Sequence, residues 1–180
     1  MSSSDPPAPV QVYVGIGSNI EPERHLRFAV RRLGEFFGKL DLSTVWRSRA
    51  VGFAGEDFLN LVAGFTTHES PAAIVGVLEQ LHTEAGRLRG AEPMSPRTLD
   101  LDLLLYGNAV MNSPSLPHRD ILRYGFVLGP LAELAPGLRH PVSGLTMADL
   151  WDRFDRSGQP MQAVDLDGLT SPRSARHPLR

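Results

Sequence analysis

The pattern of apolar and polar residues along the chain changes period several times, and each period predicts a different kind of element. Alternation and β-branched content predict four strands, over residues 10–17, 40–49, 58–67 and 96–105. Apolar residues at helical spacing predict two long helices, over residues 22–37 and 70–88. The resulting order, β-α-β-β-α-β, predicts an α+β fold, a ferredoxin-like antiparallel sheet with both helices on one face.

Shorter patterns in the second half of the chain predict additions to this core. They indicate a short helical segment from Pro117, helices over residues 126–134 and 146–154, and an edge strand within residues 159–166. We expect a disordered leader over residues 1–9, a single domain over residues 10–156, and a largely flexible C-terminal extension over residues 157–180.

Two aspartates interrupt the last core strand two residues apart. Because alternate residues of a strand share a face, Asp100 and Asp102 are expected side by side, with Leu99, Leu101 and Leu103 on the opposite face. Neighbouring carboxylates repel each other unless a cation lies between them, and oxygen ligands of this kind suit Mg²⁺. An isolated pair of this kind is more often a solvated strand face, but this pair lies within an apolar run.

Three arginines lie before this strand or at its start. Arg87 and Arg89 lie between two glycines, and Arg97 comes three residues before Asp100. Arginine binds phosphate through paired hydrogen bonds. The arginines and the carboxylate pair together predict a site for a magnesium-bound polyphosphate.

Composition narrows the classes of function. The chain has 180 residues, a formal net charge of −2 and no cysteine, which excludes disulfides, thiolate zinc sites and a cysteine nucleophile. The charge does not imply a broad nucleic-acid-binding surface, no apolar run has transmembrane length, and residues 1–9 do not read as a secretory signal. We therefore expect a cytoplasmic, monomeric protein without nucleic-acid or membrane partners.

The residues from Pro96 to Leu104 resemble the signature of the 6-hydroxymethyl-7,8-dihydropterin pyrophosphokinase family. Further likenesses follow in the family's order, at residues 15–19, 57–60, 86–89, 117–118 and 125–131, so the resemblance covers roughly residues 11–155. It implies a folate-pathway enzyme that transfers pyrophosphate from ATP to the hydroxymethyl oxygen of a pterin and releases AMP. It also implies two Mg²⁺ ions as cofactors, with ATP and the pterin as small-molecule partners.

The same resemblance implies roles for individual residues. Both magnesium ions would be held by Asp100 and Asp102, and catalysis would involve these two carboxylates with Arg87 and Arg97. The ATP phosphates would contact Arg87, Arg89, Arg97 and His118. The pterin would lie between Phe58 and Phe126, with its edge on Asn60, and the rest of its pocket would comprise Asn19, Ser48 and Val51.

Some positions depart from the family pattern. Residues 91–95 lack its basic, often tryptophan-bearing loop, His82 stands in place of a glutamate, Tyr124 stands in place of an arginine, and Arg49-Ala50 replaces common prolines. These departures leave open a second hypothesis, a non-catalytic or altered-substrate relative that binds a pterin or nucleotide. A third hypothesis is a ferredoxin-like RNA-binding module, but its sheet would need exposed aromatic residues flanked by basic ones, and these strands carry acids and aliphatics.

Overall fold

The computed structural model describes residues 6–51, 54–87 and 99–169, and of Arg87 it describes the backbone alone. The strands in these ranges are β1 (Val10–Ser18), β2 (Asp41–Leu42), β3 (Val45–Ser48), β4 (Phe58–Thr67), β5 (Asp100–Tyr106), β6 (Met111–Asn112), β7 (Ser115–Leu116) and β8 (Met161–Val164). The α-helices are α1 (Pro22–Phe37), α2 (Pro71–Arg87), α3 (Gly125–Leu134) and α4 (Met147–Arg153), and a short 3₁₀ helix (Arg119–Leu122) precedes α3.

The main sheet has the strand order β5-β1-β4-β3-β8, with β2 also paired to β4. Each pairing in this sheet is antiparallel. The predicted α+β class and antiparallel ferredoxin-like core are therefore confirmed. The predicted edge strand is also present, since β8 pairs with β3. The division of the chain at residue 156 stays a prediction, but β8 joins the segment after it to the main sheet.

The sheet separates two apolar clusters. The cluster on one face joins α1 and α2 to alternate strand residues such as Ile16, Leu61 and Leu101. The cluster on the other face joins α3 and α4 to Val62 and Leu104. The two core helices lie on one face as expected, and the two later helices cover part of the other. An RNA-binding sheet needs that second face open, so the packing of α3 speaks against the third hypothesis.

The predicted strand over residues 40–49 is divided into β2 and β3. The Ser43 hydroxyl accepts a hydrogen bond from the backbone N–H of Val62 (2.9 Å), so a side chain takes the place of a backbone acceptor. Next to it, the backbone N–H and the hydroxyl of Thr44 both donate to Glu133 on α3, at 2.8 and 2.7 Å. At the break in the strand, these hydrogen bonds therefore connect the sheet to α3.

The pairing of β1 with β5 contains a register shift. It separates the part of β5 that packs beneath α3 and α4 from the part that these helices leave uncovered. Leu103 pairs with Val14 and Leu105 with Tyr13, which leaves Leu104 as an extra residue. As a result, Leu104 and Leu105 both pack in the cluster beneath α3 and α4. The portion of β5 before this bulge carries the two aspartates.

Candidate active site

The two aspartates of β5 lie opposite two glycines of β1. Asp102 pairs with Gly15 and Asp100 with Gly17, and directly opposed residues of a sheet share a face. The space in front of the carboxylates stays open because the glycines carry no side chains. The Asp102 side chain is 51% exposed, whereas Leu101 and Leu103 are buried on the other face. The predicted division of this strand into a carboxylate face and a leucine face is confirmed.

A cavity of about 230 Å³ lies over this part of the sheet. Its walls contain both aspartates and five residues predicted for the pterin pocket, namely Ser48, Val51, Phe58, Asn60 and Phe126. Residues that are far apart in the sequence thus meet around one space. Their roles toward a ligand stay predictions, but their common location is a property of the fold.

Asn60 and Ser48 form the polar floor of the cavity. Both are buried, and Asn60 Nδ2 donates a hydrogen bond to Ser48 Oγ (2.8 Å). The other end of the amide, Oδ1, lies only 2.9 Å from the point where a Cβ on Gly17 would stand. Gly17 is therefore required for Asn60 to occupy this position.

An aromatic pair forms one wall of the cavity. The rings of Tyr124 and Phe126 are stacked, with centroids 5.1 Å apart and planes at 14°. Tyr124 is the residue before α3 and Phe126 is the second residue in it, so the start of this helix places both rings. Tyr124 replaces the arginine that the resemblance led us to expect, and it enlarges the flat apolar surface.

His118 lies beside the carboxylates and its tautomer follows from its contacts. The Nδ1 atom accepts a hydrogen bond from the backbone N–H of Asp120 (3.2 Å), so in the neutral ring the proton is on Nε2. Nε2 lies 3.8 Å from Asp102 Oδ1. His118 thus presents an N–H donor toward the carboxylate edge.

The ligand atoms of Asp102, His118 and Asp120 lie within 4.8 Å of one another. This proximity would allow a metal site, but a histidine with its proton on Nε2 and its Nδ1 engaged by a backbone donor has no lone pair to offer. The oxygen atoms of the carboxylates are the more suitable ligands for a hard cation.

Sequence reasoning missed Asp120 and did not place Tyr124 in the cavity, although both line it. Asp120 follows His118 by two residues at the start of a short helix, and this spacing could have identified it as a neighbour of the same site. Tyr124 was noted only as a departure from the family pattern. Its position next to Phe126 at a helix start was the available signal.

Other predicted site residues are not brought into the cavity walls or lie outside the described residues. Asn19 follows β1 and is partly exposed, but it is not among the described residues that line the cavity. Arg87 ends α2, and its side chain is not described, while Arg89 and Arg97 lie outside the described residues. Their proposed contacts with phosphate stay predictions.

His82 has a structural contact in this fold. Its Nε2 accepts a hydrogen bond from the backbone N–H of Leu101 (2.9 Å), so α2 is tied to the edge strand β5 between the two aspartates. The glutamate expected at this position was assigned to nucleotide contacts. In this chain the imidazole instead satisfies a backbone donor on a sheet edge.

Comparison with known proteins identifies the family of this chain. Residues 13–136 match the model of the 7,8-dihydro-6-hydroxymethylpterin-pyrophosphokinase (HPPK) family. The chain belongs to the HPPK family. The predicted family and the prediction of an ATP-dependent pyrophosphokinase are thereby confirmed, and ATP is the co-substrate of the HPPK reaction.

Relatives from bacteria are similar over most of their length. The 2-amino-4-hydroxy-6-hydroxymethyldihydropteridine pyrophosphokinase of Pseudomonas aeruginosa is 38% identical over 138 residues, which cover 73% of this chain and 84% of that protein. The protein of the same name from Synechocystis is 36% identical over 147 residues, covering 79% of this chain and 75% of that protein.

Solved HPPK-containing structures share the fold at low sequence identity. The Plasmodium falciparum HPPK-DHPS structure with pterin and p-hydroxybenzoate has a TM-score of 0.66 and 12% identity, and the match covers 84% of this chain but 44% of the Plasmodium chain. At this identity the likeness concerns the fold alone.

Proposed function

We propose that this chain is a 2-amino-4-hydroxy-6-hydroxymethyldihydropteridine pyrophosphokinase of folate biosynthesis. It transfers pyrophosphate from ATP to the hydroxymethyl oxygen of 6-hydroxymethyl-7,8-dihydropterin and releases AMP. The single observation that carries the proposal is the cavity that joins an aromatic and amide-lined end to the carboxylates Asp100 and Asp102. A site for this reaction must place a flat heterocycle beside a polyphosphate, and this cavity offers both environments.

The pterin is proposed to lie between Phe58 and Phe126. Aromatic side chains bind a flat ring through apolar contact and stacking. Asn60 supplies the directed polar contact, because its Nδ2 is engaged by Ser48 and its carbonyl Oδ1 can accept an N–H of the pterin edge. Val51, which is 51% exposed, and Ser48 complete this end of the cavity.

Mg²⁺ fits the carboxylate end of the cavity. Asp100 and Asp102 point to one face, the opposing residues Gly15 and Gly17 leave room for an ion with its waters, and all donors are oxygen atoms. We propose that these two aspartates hold two Mg²⁺ ions together with the triphosphate. When bound, the ions would neutralise charge on the phosphate oxygens.

His118 is proposed to orient the triphosphate. Its Nε2–H faces the carboxylate edge, where a phosphate oxygen could accept a hydrogen bond. Arg87, Arg89 and Arg97 are proposed to contact the same phosphates, as the family resemblance implies. Asp100, Asp102, Arg87 and Arg97 would thus form the catalytic group, which acts by positioning the reactants and balancing charge.

We propose a cytoplasmic, monomeric enzyme that binds no nucleic acid or membrane. None of the described helices is long and apolar enough to cross a bilayer. Gel filtration coupled to light scattering would test the monomeric state directly.

The experiment that tests the function is a product analysis. The purified protein is incubated with ATP, Mg²⁺ and 6-hydroxymethyl-7,8-dihydropterin, and nucleotides are separated by chromatography. We expect AMP that forms only in the presence of the pterin. ADP in its place would contradict pyrophosphoryl transfer, and pterin binding without any nucleotide product would support the non-catalytic relative.

A further inference from the structure

The C-terminal segment after α4 contacts the helix start that carries the aromatic wall. The backbone N–H of Gly125 donates to Gln159 Oε1 (2.8 Å), and Gln159 Nε2 donates to the backbone carbonyl of Arg123 (3.1 Å). One amide side chain thus binds the backbone on both sides of Tyr124. The two partners also fix the orientation of the amide, since an N–H faces its oxygen and a carbonyl faces its nitrogen.

The start of α3 needs such a partner. Tyr124 is the N-cap residue and makes no side-chain capping hydrogen bond. The first N–H groups of a helix have no acceptor within the helix, so a capping oxygen stabilises the helix start. In this chain the oxygen comes from Gln159, which is 34 residues further along the sequence from Gly125.

Packing around Gly125 strengthens the same contact. A Cβ on Gly125 would stand 3.4 Å from Met161 Sδ and 3.4 Å from Phe154 Cε1, so both side chains pack directly against the helix backbone. Met161 is the first residue of β8, where it pairs with Ser48 of β3. The C-terminal segment therefore contacts the helix start that carries the aromatic wall and also the strand that carries Ser48 of the polar floor.

We propose that Gln159 is a positioning residue for pterin binding, which holds Tyr124 and Phe126 in place through the backbone of residues 123–125. The inference rests on the proposed placement of the pterin against Phe126. Residue 159 lies beyond the part of the chain that matches the family model, which ends at residue 136. The C-terminal segment thus contributes to substrate affinity without touching the substrate.

Steady-state kinetics test the inference through the separate KM values for pterin and ATP. Gln159→Met keeps the length of the side chain but removes both hydrogen bonds, and we expect the pterin KM to rise by about threefold to tenfold. The KM for ATP should not change, because the carboxylates and His118 do not depend on this contact. Gln162→Met is the matched control, since Gln162 is an exposed residue of β8 that lies three positions further along the chain.

A second variant tests the same contact in another way. Gln159→Glu keeps an acceptor for the Gly125 N–H but places a second acceptor against the Arg123 carbonyl in place of the donor, so its pterin KM should also rise above that of the wild type. It also keeps the test in place if Gln159→Met does not fold, which circular dichroism and thermal unfolding would reveal. An unchanged pterin KM, or an equal rise in both KM values, would overturn the inference.

Phe126→Ala separates this inference from the proposed function. If Phe126→Ala raises the pterin KM and Gln159→Met does not, the inference fails and the proposed pterin position stands. If Phe126→Ala leaves the pterin KM unchanged, the proposed pterin position fails, and the role of Gln159 fails with it.

Discussion

Asn60 and Ser48 are diagonal neighbours on adjacent strands of the sheet, and the amide nitrogen of Asn60 donates a 2.8 Å hydrogen bond to the serine hydroxyl. Both residues are buried, at 5% and 6% exposure. A buried polar group without a partner is costly, so this bond keeps the amide in one orientation. Its carbonyl oxygen is then available at the cavity floor, next to Gly17.

Asn60→Ala should weaken pterin binding more than ATP binding. It removes the polar contact to the pterin edge, and the loss of a buried hydrogen bond predicts an increase in pterin KM of about tenfold to a hundredfold. Ser48→Ala should have a smaller effect, because it frees the amide without removing it. Separate KM measurements for the two substrates check this, and an equal loss for both would argue against a pterin role.

Gly17→Ala should damage the same contact from the opposite strand. The new methyl group would lie 2.9 Å from Asn60 Oδ1, a distance at which one of the two must move. We expect a rise in the dissociation constant of the pterin of about tenfold, based on the cost of displacing a buried hydrogen-bonded amide. Pterin fluorescence titration measures the change.

Gly34→Ala is the control for that variant. Nothing lies within 4 Å of a Cβ at this position of α1. The substitution should stabilise the fold by about 0.5–1 kcal/mol through helix propensity and leave pterin affinity unchanged. A wild-type affinity in Gly17→Ala would contradict the assignment of the cavity floor.

The stacked pair of Tyr124 and Phe126 predicts an aromatic requirement at position 124. Tyr124→Phe should keep the pterin KM of the wild type, because the ring stacking persists. Tyr124→Leu should raise it by about twofold to tenfold, the range that corresponds to an aromatic pair worth about 0.5–1.5 kcal/mol. Equal KM values in the two variants would show that stacking at this position does not matter for binding.

The carboxylate face of β5 was predictable from the sequence, whereas the open space in front of it was not. The two faces of β5 follow from the alternation of Asp100, Leu101 and Asp102, because the side-chain period of a strand is local. The pairing of these aspartates with Gly15 and Gly17 depends on strand register, which two separate segments determine together. The sequence therefore indicated the two neighbouring carboxylates but not the open space in front of them.

Contacts between distant segments were the least predictable part of the site. The bond from Gly125 to Gln159 joins an irregular segment to a helix start, and no periodicity marks either partner. Likewise, Glu133 of α3 accepts hydrogen bonds from Thr44, which lies between β2 and β3, and from Trp46 of β3. Both contacts depend on tertiary packing, which local patterns do not specify.

The burial of His140 leads us to predict that the stability of the fold depends on pH. The residue is 3% exposed, and its Nδ1 accepts hydrogen bonds from the backbone N–H groups of Val142 and Ser143. Burial lowers the pKa of His140 below its ordinary value of 6.5. The unfolded chain therefore binds a proton at higher pH than the folded chain, so this contribution to stability is present above about pH 6.5 and decreases as the pH falls toward the folded pKa.

His140→Gln keeps a side-chain acceptor near these N–H groups and removes the titration. Its free energy of unfolding should fall less steeply than that of the wild type as the pH is lowered from 7 to 5. Urea denaturation at several pH values measures both slopes. His68→Gln, at an exposed position, is the control, and parallel slopes for His140→Gln and the wild type would contradict the prediction.

The most direct test of the account compares pterin binding and AMP formation in Asp102→Asn. The amide has the shape of the carboxylate but lacks its charge, so Mg²⁺ binding should be lost while the apolar end of the cavity is unchanged. Asp152→Asn, at an exposed position of α4, is the matched control and should have wild-type activity. We predict that Asp102→Asn binds 6-hydroxymethyl-7,8-dihydropterin with near wild-type affinity and forms AMP at least about a hundredfold more slowly, since a charge that stabilises the transition state is worth several kcal/mol. Wild-type AMP formation in Asp102→Asn would contradict the central claim that this carboxylate holds the metal-bound polyphosphate.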